Sequence, residues 1–135
     1  MYNSILVAIA LDHSRDNAKA FDVARLLAND SGKITAINVL EEIPAYVASQ
    51  IPEELLERRV AETKVELIAE LGDASVMEAV VVRGHAGRTI VNYASDENVD
   101  CIVISSHRPG MQDYFLGSTA QRVVRHATCA VHIIR

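Results

Sequence analysis

The sequence contains no tryptophan, and aromatic residues make up only 4% of its 135 residues. A module that grips nucleic acid by stacking bases on aromatic rings is therefore not expected. Basic excess is missing too. The formal net charge is −5 and the pI about 5.5, the wrong sign for a general binder of phosphate backbones or anionic membranes. Only two cysteines are present, Cys101 and Cys129, each in an apolar run. They cannot build a disulfide framework, and a reducing compartment, the cytoplasm, is the expected setting. No apolar run approaches the roughly 20 residues that cross a bilayer. The opening Met1-Tyr2-Asn3-Ser4 shows neither the basic stretch nor the cleavage site of a secretory leader. No membrane insertion is expected.

What is present is ordinary for a folded domain: half of the residues are hydrophobic and 23% are charged. A chain of this length buries roughly two-thirds of its unfolded surface, so neither metal nor disulfide is needed. One domain spanning 1–135 is expected.

Short β-like runs alternate with amphipathic stretches. Ser4 to Ala10 reads as a strand apolar on both faces. Asp12-His13-Ser14 offers N-caps to a helix over Arg15 to Asn29, with Ala18, Phe21, Val23, Ala24, Leu26 and Leu27 on one face and Gly32 as a left-handed stop. Lys33 to Leu40 is a second strand, and Glu41 to Gln50 is irregular. Pro52 opens a long helix to Leu71 with Leu56, Val60, Thr63, Leu67 and Leu71 on one stripe. Met77 to Val82 is a third strand, Thr89 to Glu97 a short helix, and Asp100 to Ser105 a fourth strand. A helix from Ser118 to His126 and a strand from Ala130 to Ile134 close the chain. The alternation predicts one doubly wound α/β domain, a five-stranded parallel sheet with helices on both faces.

Such sheets bind ligands beyond the carboxyl ends of their strands. There, Gly117-Ser118-Thr119 places a glycine and two hydroxyls at a helix start. From Cys101 onward four arginines face one acid, Asp113. Two readings stand: an anion site on free backbone N–H groups, or a plain helix cap. Arg83, His85 and Arg88, around two glycines, either add positive field or form a solvated turn. The loop Glu41 to Ile51, with Ile43, Tyr46, Val47 and Ile51, covers the site as a lid, meets a partner, or packs on its own long helix. Ser106-His107 does not read as a nucleophile and base, because neighbours on an extended chain point apart. His126, Cys129 and His132 straddle a helix end and a strand, which splays them, so no metal site is assigned. No catalytic residue is assigned either.

Over its whole length the chain resembles the universal stress proteins. The residues that carry the likeness are Ile5-Leu6-Val7, Gly84 with Ile90 and Ala94, Asp100 to Ile104, Ser106-His107-Arg108-Pro109, Leu116-Gly117-Ser118, and Val123 to His126 before the last strand. The nucleotide-binding members carry Gly-x2-Gly-x9-Gly-Ser/Thr. This chain has Ser105 and Arg108 at the two glycines, and eight residues separate Arg108 from Gly117. Where the family has Val-Pro-Ile-Asp, it has Val7-Ala8-Ile9-Ala10.

The resemblance implies the strand order 3-2-1-4-5 and a nucleotide across strands one and four. Val39 would meet the base through its backbone. Ala8 and Ala10 would flank the nucleoside, with Asp12 as the polar substitute. Ser105, His107 and Arg108 would line the ribose and α-phosphate, and Gly117, Ser118 and Thr119 would cradle the terminal phosphates, with Mg²⁺. The implied role is a cytoplasmic ATP-binding stress-response regulator, with AMP or ADP as other ligands. Its output is binding, and at most slow ATP hydrolysis or self-phosphorylation. The last strand, Ala130 to Ile134, would make a homodimer, with a tetramer as a further step and a protein partner downstream. The alternative is a nucleotide-independent, dimeric protein–protein module of the same fold.

Overall fold

The computed structural model describes residues 1–11, 17–72, 77–106 and 116–135. Its elements are β1 (Tyr2–Ala8), α1 (Asn17–Leu27), β2 (Ala28–Glu41), α2 (Ala45–Ala48), α3 (Glu53–Leu71), β3 (Met77–Gly84), α4 (Ala86–Asp96), β4 (Cys101–Ser105), α5 (Ser118–His126) and β5 (Ala130–Ile134). The strands form one sheet in the order β3-β2-β1-β4-β5. Every pairing is parallel, as the alternating pattern requires.

Side chains alternate across each strand, and this sorts the apolar residues into two layers. Ile5, Val7, Ala36, Cys101 and Val103 face α1 and α3 through Ala20, Phe21, Ala24, Leu67 and Leu71. Leu6, Ile37, Ile102 and Ile104 face α4 and α5 through Ile90, Ala94, Ala120 and Val123. Burial on both faces explains why these strands read as near-continuous apolar runs.

Three sequence expectations need correction. Gly32 does not stop α1, which ends at Leu27; it lies inside β2, which starts five residues earlier than Lys33. There the register against β1 is irregular between Tyr2 and Ser4. A Cβ on Gly32 would sit 3.0 Å from the carbonyl oxygens of both Asn29 and Tyr2, so the glycine serves a close backbone approach. Leu26 and Ala18 do not share the buried face of α1, and Leu26 is 85% exposed. It stands five residues from Phe21, about 140° around the helix. Helix α4 starts at Ala86 rather than Thr89, because the His85 side chain caps it by accepting from the Arg88 N–H.

Strands β1 and β2 are joined through α1 on one face, whereas β4 and β5 are joined through α5 on the other. The connections therefore diverge between neighbours β1 and β4, and a crevice opens at their carboxyl ends.

Candidate functional site

A cleft of about 230 Å³ lies at this point of divergence. The end of β1 supplies Ala8, Ile9, Ala10 and Leu11; β2 supplies Ile37, Asn38, Val39 and Glu41. Ile104 and Ser105 come from β4, Ala86 and Ile90 from α4, and Thr119 and Ala120 from α5.

The exit of β1 shapes the floor. The last β1–β2 register pair is Ala8 with Ile37, and Ile9 still donates its N–H to the Ile37 carbonyl at 2.9 Å. Beyond that the chain peels away, with its carbonyls held by two asparagines. Asn38 Nδ2 donates to the Ile9 carbonyl at 2.8 Å and Asn17 Nδ2 to the Ala10 carbonyl at 3.0 Å. Strand β2 continues to Glu41 while paired only with β3. Peptide groups along a strand alternate in direction, and that of Ile37 points at β1. The N–H and C=O of Val39 therefore point the same way, past the end of β1, where no strand among the described residues pairs with them. Val39 presents one donor and one acceptor toward the cleft.

Two helix N-termini border the cleft, and they differ. At α4 the Glu41 Oε1 accepts from the Ala86 N–H at 3.3 Å, and His85 Nδ1 accepts from the Arg88 N–H at 3.3 Å. The positive end of α4 is thus closed by the chain's own acceptors. At α5 the N-cap is Gly117, and no side chain among the described residues caps it. The Gly117 N–H is taken by the Ser106 carbonyl at 2.5 Å, which closes the stem of the segment between β4 and α5. The N–H groups of Ser118, Thr119 and Ala120 have no acceptor among the described residues, and Thr119 and Ala120 line the cleft.

Of the expected site residues, Ala8, Ala10, Val39, Ser105 and Thr119 come together in this cleft. Gly117 stands at its edge as the α5 N-cap. Ser118 lines a separate hollow of about 160 Å³ with Gln121, Arg122, Arg125 and His126. Asp12, His107 and Arg108 lie outside the described residues. Arg122 does not line the cleft; its stem packs on Gly87, where a Cβ would approach Arg122 Cδ to 2.8 Å and its Cβ to 3.0 Å. This close contact lets α4 and α5 lie side by side.

Arg83 turns the other way and pairs with Glu53 of α3 at 2.9 Å, so it adds no free charge at the cleft. It borders a larger hollow of about 510 Å³ under α2, with Ile43, Ala45, Ala48 and Leu56. The Glu41 to Ile51 segment shares this hollow with α3, and its Tyr46 is 76% exposed. Ser106 is 1% exposed, too enclosed to meet a substrate. Burial pushes the Cys101 thiol up to about 11 and the Cys129 thiol upward as well, which makes both poor nucleophiles and poor metal ligands at neutral pH. Among the described residues no group of three His, Cys, Asp or Glu side chains converges to hold a metal ion. No helix among them is long and apolar enough to cross a membrane.

Sequence reading gave no role to Asn17, Asn38 or Glu41. The signal for Asn38 was present: it is the one amide in the apolar run Ile34 to Leu40, and a buried amide needs partners.

A doubly wound parallel sheet with a cleft at its point of divergence and a helix start beside it is the arrangement at which folds of this class place their ligands. Residues 1–135 match the universal stress protein family, and the chain belongs to that family. It is 31% identical over 140 residues to universal stress protein A homolog 2 of Coxiella burnetii, covering 99% of this chain and 95% of that one. Among solved structures it is similar to universal stress protein UspA from Lactobacillus plantarum, with TM-score 0.75, 26% identity and 99% and 98% of the two chains covered. The universal stress protein from Archaeoglobus fulgidus in complex with dAMP shares the fold at TM-score 0.58 and 20% identity, with 99% and 98% covered. Membership puts the chain in the stress-response class, a family in which nucleotide binding occurs.

Proposed function

We propose that this protein is a cytoplasmic, ATP-binding stress-response regulator whose output is binding rather than turnover. The observation that carries the reading is the contrast between the two helix starts: α4 is capped by Glu41 and His85, and α5 has no side-chain cap among the described residues. Phosphates go to the open one, on the N–H groups of Ser118 and Thr119 beside Gly117. The Thr119 hydroxyl, which lines the cleft, is a hard oxygen donor of the kind Mg²⁺ accepts. The base lies against Val39, whose N–H and C=O are unpaired among the described residues and match a donor–acceptor edge. Ala8 and Ala10 leave room for the nucleoside, and Ser105 meets the ribose. The dAMP-bound relative supports an adenine nucleotide as ligand.

Strand β5 is an edge of the sheet, with Val131, Ile133 and Ile134 only partly buried. Apolar edge strands seek partners, so Ala130 to Ile134 pairs two copies in a homodimer, from which a tetramer can be built. The same edge favours the second reading, a nucleotide-independent dimeric interaction module.

Calorimetric titration with ATP and Mg²⁺, with GTP and AMP as controls, tests the proposal. Micromolar ATP binding that is lost in Gly117→Asp upholds it. No heat and no thermal shift with any nucleotide overturns it in favour of the interaction module, and light scattering at micromolar concentration reads the dimer independently.

A further inference from the structure

One charged side chain lines the cleft among the described residues, that of Glu41. It stands across the cleft from the α5 start, so the cleft is electrostatically two-ended: a carboxylate at the β2–α4 rim and, at α5, N–H groups with no acceptor among the described residues. We infer that Glu41 is a specificity-determining residue, selecting a base that carries an exocyclic amino group, a 6-aminopurine, against its 6-oxo counterpart. The inference rests on the nucleotide reading above and adds to it the side chain that discriminates.

Three observations support this. First, the carboxylate is held in place: Oε1 accepts from the Ala86 N–H at 3.3 Å across 45 residues of sequence, which fixes a flexible side chain at the rim. Second, only one oxygen is used. Oε2 has no donor among the described residues, so an acceptor remains. Third, Glu41 follows Val39 by two residues on one strand, and both lie beyond the last β1 pairing. The rise between them is roughly 7 Å, on the scale of a purine ring system.

A base edge read by the Val39 peptide therefore brings its position-6 substituent near a carboxylate. An amino group has a second hydrogen for Oε2. An oxo group opposes one acceptor with another and leaves both unpaired, and a site built on hydrogen bonds rejects such a ligand strongly. The same negative charge repels phosphate from the α4 end and so fixes which way round the ligand lies.

ATP and ITP, which differ at position 6 and therefore in whether N1 carries a proton, are titrated calorimetrically with Mg²⁺ into the wild type, Glu41→Gln and Glu41→Ala. The change in the ATP:ITP ratio between proteins isolates Glu41 from the Val39 contact common to all three. The expected wild-type preference for ATP is about tenfold or more, a difference of one well-made polar contact. Glu41→Gln keeps an acceptor for Ala86 but can also donate to an oxo group, so its preference should fall to about threefold or less, mainly through tighter ITP binding. Glu41→Ala removes the α4 cap as well, and its melting temperature reports that structural part separately. If Glu41→Gln binds ATP and keeps the wild-type ATP:ITP ratio, Glu41 is only a helix cap and the inference fails alone. If the wild type binds neither nucleotide, the nucleotide reading fails and this inference with it.

Discussion

The Asn38 amide bridges to the Ile9 carbonyl at 2.8 Å, across the gap that opens where β1 leaves its place beside β2. Asn38 is only 8% exposed, so this bond is shielded from water. It sets where β1 stops pairing, and hence how much of the β2 backbone faces the cleft.

Asn38→Leu leaves the Ile9 carbonyl without its donor inside the protein. The expected cost is about 1–3 kcal/mol, the usual penalty for a buried unsatisfied acceptor. Urea denaturation checks it. Nucleotide affinity falls with it, because the floor of the cleft is no longer fixed; an unchanged affinity would separate Asn38 from the site.

At the α4–α5 contact, Gly87→Ala drives a methyl into the Arg122 stem, with Cδ 2.8 Å away. Alanine is the better helix former by roughly 1 kcal/mol, yet the overpacking should win and destabilise by about 1–3 kcal/mol. In an Arg122→Ala background the Cδ and Cγ contacts vanish. The cost of Gly87→Ala should then shrink by at least about 0.5 kcal/mol, the coupling expected of touching residues. Equal costs in both backgrounds would show that the helices part without strain.

Asp100 works at the amino-terminal ends of the central strands β1 and β4. Its carboxylate accepts from the Asn3 N–H at 2.9 Å and from the Ser4 N–H at 3.0 Å, tying the start of β1 to β4. Asp100→Ala is expected to destabilise by about 1–3 kcal/mol while leaving nucleotide affinity unchanged, since the cleft lies at the opposite ends of the strands. Chemical denaturation and calorimetry on the same variant give both readings.

Stability should fall in alkali for a stated reason. Burial, then the neighbouring Cys129 and Asp100, raise the Cys101 thiol from 9.0 to about 11. Above pH 9 the unfolded chain loses this proton first, so the folded state binds more protons and stability decreases as pH rises. The thiol's contribution is fully present below about pH 9 and lost through about pH 11. Tyr93, raised chiefly by burial, and Lys33, raised by its bond to Glu78, act in the same direction. Cys101→Val should therefore flatten the fall in urea midpoint across this range without abolishing it. A slope equal to that of wild type would exclude the thiol.

Much of the fold was legible because its signals are local. The limits of α5 and β5 follow from a glycine–hydroxyl start and a short apolar run, and the α3 stripe ending in Leu67 and Leu71 follows from helical spacing. Ser105, Val39 and Thr119 were placed at strand ends and a helix start, and the structure brings them into one cleft. Gly32 misled because its role depends on the Tyr2 carbonyl, thirty residues away in sequence. Arg83 misled because a cation beside a glycine turn looks free until Glu53 is found next to it.

By itself the sequence determined the alternation of strands and helices, the parallel sheet, the two apolar layers and the start of α5. These follow from periodicity, caps and composition, which act over a few residues. Only the tertiary structure decided which peptide groups stay unpaired. Val39 faces the cleft because β1 ends its pairing at Ala8, and α4 is closed because Glu41 reaches across from β2. Both depend on register between segments distant in the chain, set by the packing of the whole core.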